Sequence, residues 1–147
     1  MVRFVKSRKV QIHGGDKDWN VLLLCLTDGT YDPQGGTYPL NQCFFGGRLL
    51  VSEGAIVNLV APEVARDIAM SLSALGEEWL RNRYSAHFAE EYEGPIPEED
   101  YESNYEELQR FRDYYQRIAE AGTGVVFYTD DCLSYFFDPD RNPPSRR

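Results

Sequence analysis

The residues best suited to chemistry are four side chains in the first third of the chain: Asp16, Trp19, Cys43 and Arg48. A carboxylate can serve as a general base, an indole offers a flat surface for stacking, and a thiolate can attack a carbonyl carbon. An arginine that follows the Gly46-Gly47 turn can hold a phosphate. One hypothesis is therefore a small enzyme or ligand-binding domain with these four residues around one cleft.

Each of the four residues also has a structural interpretation. Asp16 can cap a helix whose buried stripe holds Trp19, and free cysteine is among the most buried residue types. Activation of Cys43 requires a base, and the sequence places neither of its two histidines, His13 and His87, beside it. A lone Gly-Gly pair lacks the strand-loop-helix spacing of a phosphate loop and is typical of a hairpin or bulge. We therefore predict no catalytic residue and no cofactor.

A metal site would need ligands at the close, recurring spacings of known zinc sites. The candidate ligands are His13, His87, Asp130, Asp131 and Cys132. No two of them have such a spacing, and the TDDC stretch that holds the last three is typical of a polar loop. We therefore predict no metal.

The cysteines and the hydropathy pattern indicate the compartment. Three cysteines, Cys25, Cys43 and Cys132, are an odd number without redox spacing, which favours reduced thiols. The longest apolar run covers residues 21–26, far short of the roughly 20 residues that a membrane span needs. The basic first residues are not followed by the apolar stretch that a signal peptide has. We expect a soluble cytoplasmic protein without a membrane partner.

The most unusual feature is the acidic segment, residues 90–107, with the sequence EEYEGPIPEEDYESNYEE. It holds nine acids and no lysine or arginine, so the charge of this segment alone equals the net charge of the chain, -9. Such a charge argues against nucleic acid as a partner, because phosphate binding depends on clustered basic residues. The segment has a simple interpretation, as a solvated loop followed by an acidic first helical turn.

The second interpretation of the acidic segment is a surface that recognises a basic protein. Carboxylates steer a basic partner, and tyrosines supply contact area. Pro95 and Pro97 would hold the loop extended and lower the entropy lost on binding. The residues predicted to bind the partner are Glu91, Tyr92, Glu93, Glu98, Glu99, Asp100 and Tyr101. We favour this function, a non-catalytic regulator or toxin antidote, over the enzyme or ligand-binding alternative; the sequence leaves the oligomeric state open.

Hydrophobic spacing predicts the elements that position these residues. Strands are expected over residues 2–12, 48–52, 55–60 and 124–129, and helices over residues 16–28, 62–76 and 77–88. A last helix should begin at Ser103, in a capping box with Glu106, and end at a left-handed Gly122. Strands alternate with helices, so we predict one layered α/β domain over residues 1–137, a mixed β-sheet flanked by helices, with a mobile tail over residues 138–147.

Four segments in a fixed order carry a resemblance to a known family: DKDWNVLLLCLTDG, PLNQCFFGG, LVAPEVARDIAMSLSAL and YEELQRFRDYYQRIAEAGTGVVFY. Over roughly residues 16–130 they resemble the YfbM-like family of small bacterial proteins of unknown function. The family pattern has a histidine shortly after the tryptophan, where this chain has leucines at residues 22–24. The resemblance implies helices on both faces of a mixed sheet, no established reaction, and a role as partner or antidote of a bacterial toxin.

Overall fold

The computed structural model describes the backbone of residues 2–6, 9–11, 18–29, 35–44, 48–51 and 56–129, and the side chains of residues 21–29, 35–44 and 57–127. The helices are α1 (Asp18–Leu26), α2 (Pro62–Ser73), α3 (Glu77–Phe88) and α4 (Glu98–Glu120). The strands are β1 (Val2–Lys6), β2 (Lys9–Gln11), β3 (Arg48–Val51), β4 (Ile56–Val60) and β5 (Val125–Thr129). The predicted combination of helices and strands is confirmed, and helix is the larger share of the described chain.

The strands form one sheet in the order β2-β1-β5-β4-β3. Every pairing among the described strands is antiparallel, which corrects the prediction of a mixed sheet. For two of the four pairs the reason is local: β1 and β2, and likewise β3 and β4, follow each other through short connections, which permit only antiparallel pairing. One face of β5 carries the buried Val125 and Phe127, whereas Val126 on the other face is half-buried. This alternation is typical of antiparallel strands.

Three buried phenylalanines from distant parts of the chain meet in the core. The ring of Phe44 stacks on that of Phe111 in α4, with centroids 4.7 Å apart and an interplanar angle of 4°. The ring of Phe127 in β5 is nearly perpendicular to that of Phe44, with centroids 5.6 Å apart. All three are almost fully buried, so the turn after the short 3-10 helix Leu40–Gln42 is fastened between α4 and the sheet.

Helix α1 ends at Leu26, two residues before the predicted end at residue 28. Leu22, Leu23 and Leu26, which have helical spacing, are buried. After the helix, both the amide and the hydroxyl of Thr27 donate to the carbonyl oxygen of Leu23, at 3.0 and 2.8 Å. The predicted helix cap Asp16 lies outside the described residues, as do His13, residues 130–132 and the predicted tail.

Helix α4 begins earlier than predicted. It starts at Glu98 after Pro97, so Ser103 lies exposed inside the helix and the predicted capping box with Glu106 is wrong. The physical reason is the acidic first turn, Glu98 to Asp100, because carboxylates stabilise the positive end of the helix dipole. Half of the acidic segment is therefore helical instead of an extended loop.

The C-terminus of α4 agrees with the prediction. Gly122 adopts a left-handed conformation with φ of 65°. Its amide donates to the carbonyl oxygen of Ala119 at 3.0 Å, and the amide of Thr123 donates to that of Ile118 at 3.3 Å. These two bonds satisfy the last carbonyls of the helix, as in a Schellman motif.

Helix α4 also holds the bend between α2 and α3. The guanidinium of Arg112 donates from Nη1 to the carbonyl oxygen of Leu75, at 3.0 Å. Leu75 lies between the last residue of α2 and the first residue of α3, and its side chain packs against the core. The bend is thereby fixed to α4 by a charge-assisted hydrogen bond. Among the described helices, none is long and apolar enough to cross a membrane.

Candidate functional site

The acidic segment folds against α3 in two parts. We call residues 89–97 the connector, because they join α3 to α4 through a short 3-10 helix, Ala89–Glu91, and a turn. The remaining residues of the segment form the first half of α4. The segment therefore has a defined backbone over its whole length.

Tyr92 joins the connector to both neighbouring helices. Its hydroxyl oxygen lies 2.6 Å from that of Tyr84 in α3 and 2.7 Å from Oδ2 of Asp100 in α4. Because Tyr92 donates its only proton to the carboxylate, Tyr84 must donate to Tyr92. The pKa of Tyr92 is raised beside Tyr84 and Asp100, because its phenolate could no longer donate to the carboxylate, and burial raises the pKa of Tyr84. Both phenols therefore stay protonated at neutral pH.

Arg81 of α3 fixes the start of α4. Its guanidinium donates to both carboxylate oxygens of Glu98, and also to Glu77 at 3.1 Å. Its Cζ atom lies 4.6 Å from the ring centroid of Tyr101, and the hydroxyl of Tyr101 lies 2.6 Å from Oγ of Ser85. The hydrogen bond from Arg81 lowers the pKa of Glu98. Sequence reasoning missed Arg81, although its spacing from Glu77 is that of a helical ion pair.

The seven residues predicted to bind a partner divide into two groups. Glu91, Glu93 and Glu99 are exposed, and none of the described residues forms an ion pair with them. Tyr92, Asp100 and Tyr101 are half-buried and bonded as above, and Glu98, although exposed, is bound to Arg81. The surface open to a partner is therefore made mainly of carboxylates, while the tyrosines hold it in place.

Of the four residues of the alternative cleft, only Cys43 has a described side chain. Asp16 lies outside the described residues. Trp19 and Arg48 belong to α1 and β3, but their side chains lie outside the described part of the chain. The Cys43 side chain is 1% exposed, and its carbonyl oxygen accepts a hydrogen bond of 2.7 Å from the hydroxyl of Tyr115. Burial raises the pKa of the Cys43 thiol, which keeps it in its unreactive protonated form.

Thiol labelling tests this burial. Burial also raises the pKa of Cys25 to about 12, so we expect iodoacetamide at neutral pH to leave Cys25 and Cys43 unmodified in the native protein. Both should react fully in guanidinium chloride, which serves as the internal control. Peptide mapping by mass spectrometry separates them from Cys132. Rapid reaction of Cys43 with iodoacetamide in the native protein would contradict its burial, and Cys43 would again be a candidate nucleophile.

No three His, Cys, Asp or Glu side chains within the described residues are arranged to hold a metal. His87 lies in the last turn of α3, where a basic residue suits the helix dipole. Its Nε2 atom is buried without a hydrogen-bond partner in the described part of the chain. His13 and residues 130–132, the other candidate ligands, lie outside it.

The described residues form a small α/β protein whose acidic segment begins after α3 and continues into α4. The chain belongs to the family named Domain of unknown function (DUF1877), whose model matches residues 6–128. It is also similar in fold to the crystal structure of YfbM from Escherichia coli, a protein of unknown function. The TM-score is 0.63 at 15% sequence identity, and the match covers 86% of this chain and 98% of that chain. A comparison with curated proteins found no match. The predicted family resemblance is confirmed.

Proposed function

We propose that the protein is a non-catalytic protein-binding module, of the regulator or toxin-antidote type, whose acidic segment binds a basic protein. One observation carries the proposal: the exposed carboxylates of Glu91, Glu93 and Glu99 have no cationic partner among the described residues, although the backbone that carries them is fixed by Tyr92 and Arg81. Fixed, unpaired charges of one sign are suited to a partner of the opposite sign.

The physical advantage of this arrangement is a low cost of binding. Ordering flexible side chains and loops costs free energy on association, and a surface that is already ordered avoids part of that cost. Unpaired carboxylates also attract a basic partner over about one Debye length, roughly 8 Å at physiological salt. We therefore expect fast association that weakens steeply as salt is added.

The proposal also includes two predictions from the sequence: helices that flank the β-sheet, and a location in the cytoplasm. Helices that flank the sheet are supported by the buried face of β4 and β5, where Val60, Val125 and Phe127 are all fully covered. A cytoplasmic location is supported by the free thiols of Cys25 and Cys43, because such thiols persist in a reducing compartment.

Affinity capture with matched variants tests the proposal. The tagged protein is compared with a variant that carries Glu91→Lys and Glu93→Lys, and captured proteins are quantified by mass spectrometry at low and high salt. We expect a basic protein that binds at low salt, is lost at high salt, and is reduced at least tenfold by the double substitution, since each reversed charge repels it.

The control variant carries Glu63→Lys and Asp113→Lys, two exposed acids outside the acidic segment. It changes the net charge by the same amount and should leave capture unchanged. If the two variants lose the same proteins equally, the binding reflects overall charge. If neither variant loses a protein, the acidic segment is not the binding surface.

A further inference from the structure

We propose that Tyr92 is a latch: its hydroxyl closes the connector over α3 and α4, and the connector can open while both helices stay folded. The inference deepens the proposed function, on which it depends only for its effect on the partner. Glu91 and Glu93 lie on the connector on either side of Tyr92. The state of the latch therefore decides whether these two carboxylates are presented at fixed positions.

The contacts of the connector are concentrated on two side chains. Tyr92 and Ile96 are half-buried and pack against the core, whereas the other described residues of the connector are exposed: Ala89, Glu90, Glu91, Glu93, Gly94, Pro95 and Pro97. A Cβ atom added at Gly94 would meet no atom within 4 Å. Segments with so few buried contacts are the ones that open locally. The Tyr92 hydroxyl is the polar part of this attachment.

Helices α3 and α4 are also held together by hydrogen bonds and ring contacts that do not involve the connector. Ser85 of α3 bonds the hydroxyl of Tyr101, and Arg81 binds Glu98 and lies over the Tyr101 ring. Loss of the Tyr92 bonds would leave all of these in place. The two helices can thus remain paired when the connector opens.

Opening would change what the protein presents to a partner. In the closed state Tyr84 and Phe88 are 6% and 8% exposed, with ring centroids 4.9 Å apart. Release of Tyr92 would remove its ring, whose centroid lies 6.5 Å from that of Tyr84, and would free the Asp100 carboxylate. A partner that binds the closed connector would lose affinity in proportion to the open population.

Hydrogen exchange of the backbone amides tests the latch. With Tyr92→Phe, which keeps the ring and removes the hydroxyl, we expect the connector amides to exchange about 5- to 10-fold faster, as the loss of one hydrogen-bonding group predicts. Exchange in α1 and β5 should not change. In the control Tyr101→Phe, which removes a half-buried hydroxyl that bonds α4 to α3 without involving the connector, connector exchange should stay within about twofold of the wild type.

Three outcomes would overturn the latch: unchanged connector exchange with Tyr92→Phe, faster exchange throughout the domain, or a variant that does not fold. Asp100→Ala, which removes the acceptor from α4, should reproduce the faster connector exchange. The proposed function fails separately, if capture ignores Glu91→Lys with Glu93→Lys. If both proposals hold, Tyr92→Phe should weaken capture of the same protein that the double substitution loses.

Discussion

Replacing Phe44 with alanine is expected to lower the free energy of unfolding by about 4 kcal/mol, the usual cost of removing a buried phenylalanine ring. Phe44 is 2% exposed, and its ring centroid lies 4.7 Å from that of the stacked Phe111 ring and 5.6 Å from that of Phe127. Alanine would leave a cavity where α4, the sheet and the turn after Leu40–Gln42 meet. Denaturation by guanidinium chloride, followed by circular dichroism, measures the loss.

Two further substitutions calibrate that result. Phe44→Leu keeps most of the apolar volume and should cost about 1 kcal/mol. Met70→Ala removes a side chain that is 72% exposed on α2 and should change stability by less than about 0.5 kcal/mol. If Phe44→Ala were as mild as Met70→Ala, the aromatic stack would not be part of the folded core.

Gly124→Ala is expected to lower the free energy of unfolding by about 3 kcal/mol, because the added methyl group has no room. A Cβ atom there would lie far inside contact distance of the carbonyl oxygen of Val60. That oxygen belongs to the backbone at the end of β4, where Val60 pairs with Val125 of β5, so it cannot move without disturbing the ladder. Urea denaturation curves measure the change in midpoint.

The matched control is Gly94→Ala, where the new methyl group would meet no atom within 4 Å. We expect this variant to have wild-type stability within about 0.5 kcal/mol. Equal effects of the two substitutions would mean that glycine acts through chain flexibility in general, and the close approach of Val60 to Gly124 would not be the cause.

The sequence predicted the parts of the fold that depend on local periodicity. The helical spacing of Tyr105, Leu108, Phe111, Tyr115 and Ile118 predicts one buried stripe. The last four are buried and Tyr105 is half-buried. Gly122 is left-handed, and residues 125–129 form a strand. The start of α4 was predicted wrongly because a capping motif at Ser103 competed with an earlier proline and acidic turn. Phe44 was missed as a core residue because the Gly-Gly pair after it indicated only a turn. Its burial depends on α4 and β5, which are distant in sequence.

The candidate site was predictable in its charge and not in its architecture. Counting acids located the segment, but the partners of Tyr92 and Tyr101 come from α3 and from the first turns of α4. Arg81 lies 17 residues before Glu98, so no local pattern joins them. Which carboxylates remain unpaired is a property of the packed helices, and it decides which of them a partner can reach.

The hydrogen bond from Arg112 to Leu75 has a practical consequence for engineering. It ties α4 to the bend between α2 and α3. Extra residues inserted at that bend would therefore pull the Leu75 carbonyl away from the Arg112 guanidinium. Exposed loop tips of small residues accept insertions best. Gly94, with open space around it, is thus the position where an inserted epitope tag should fit, and such a tag would at the same time cover the proposed partner surface at Glu91 and Glu93.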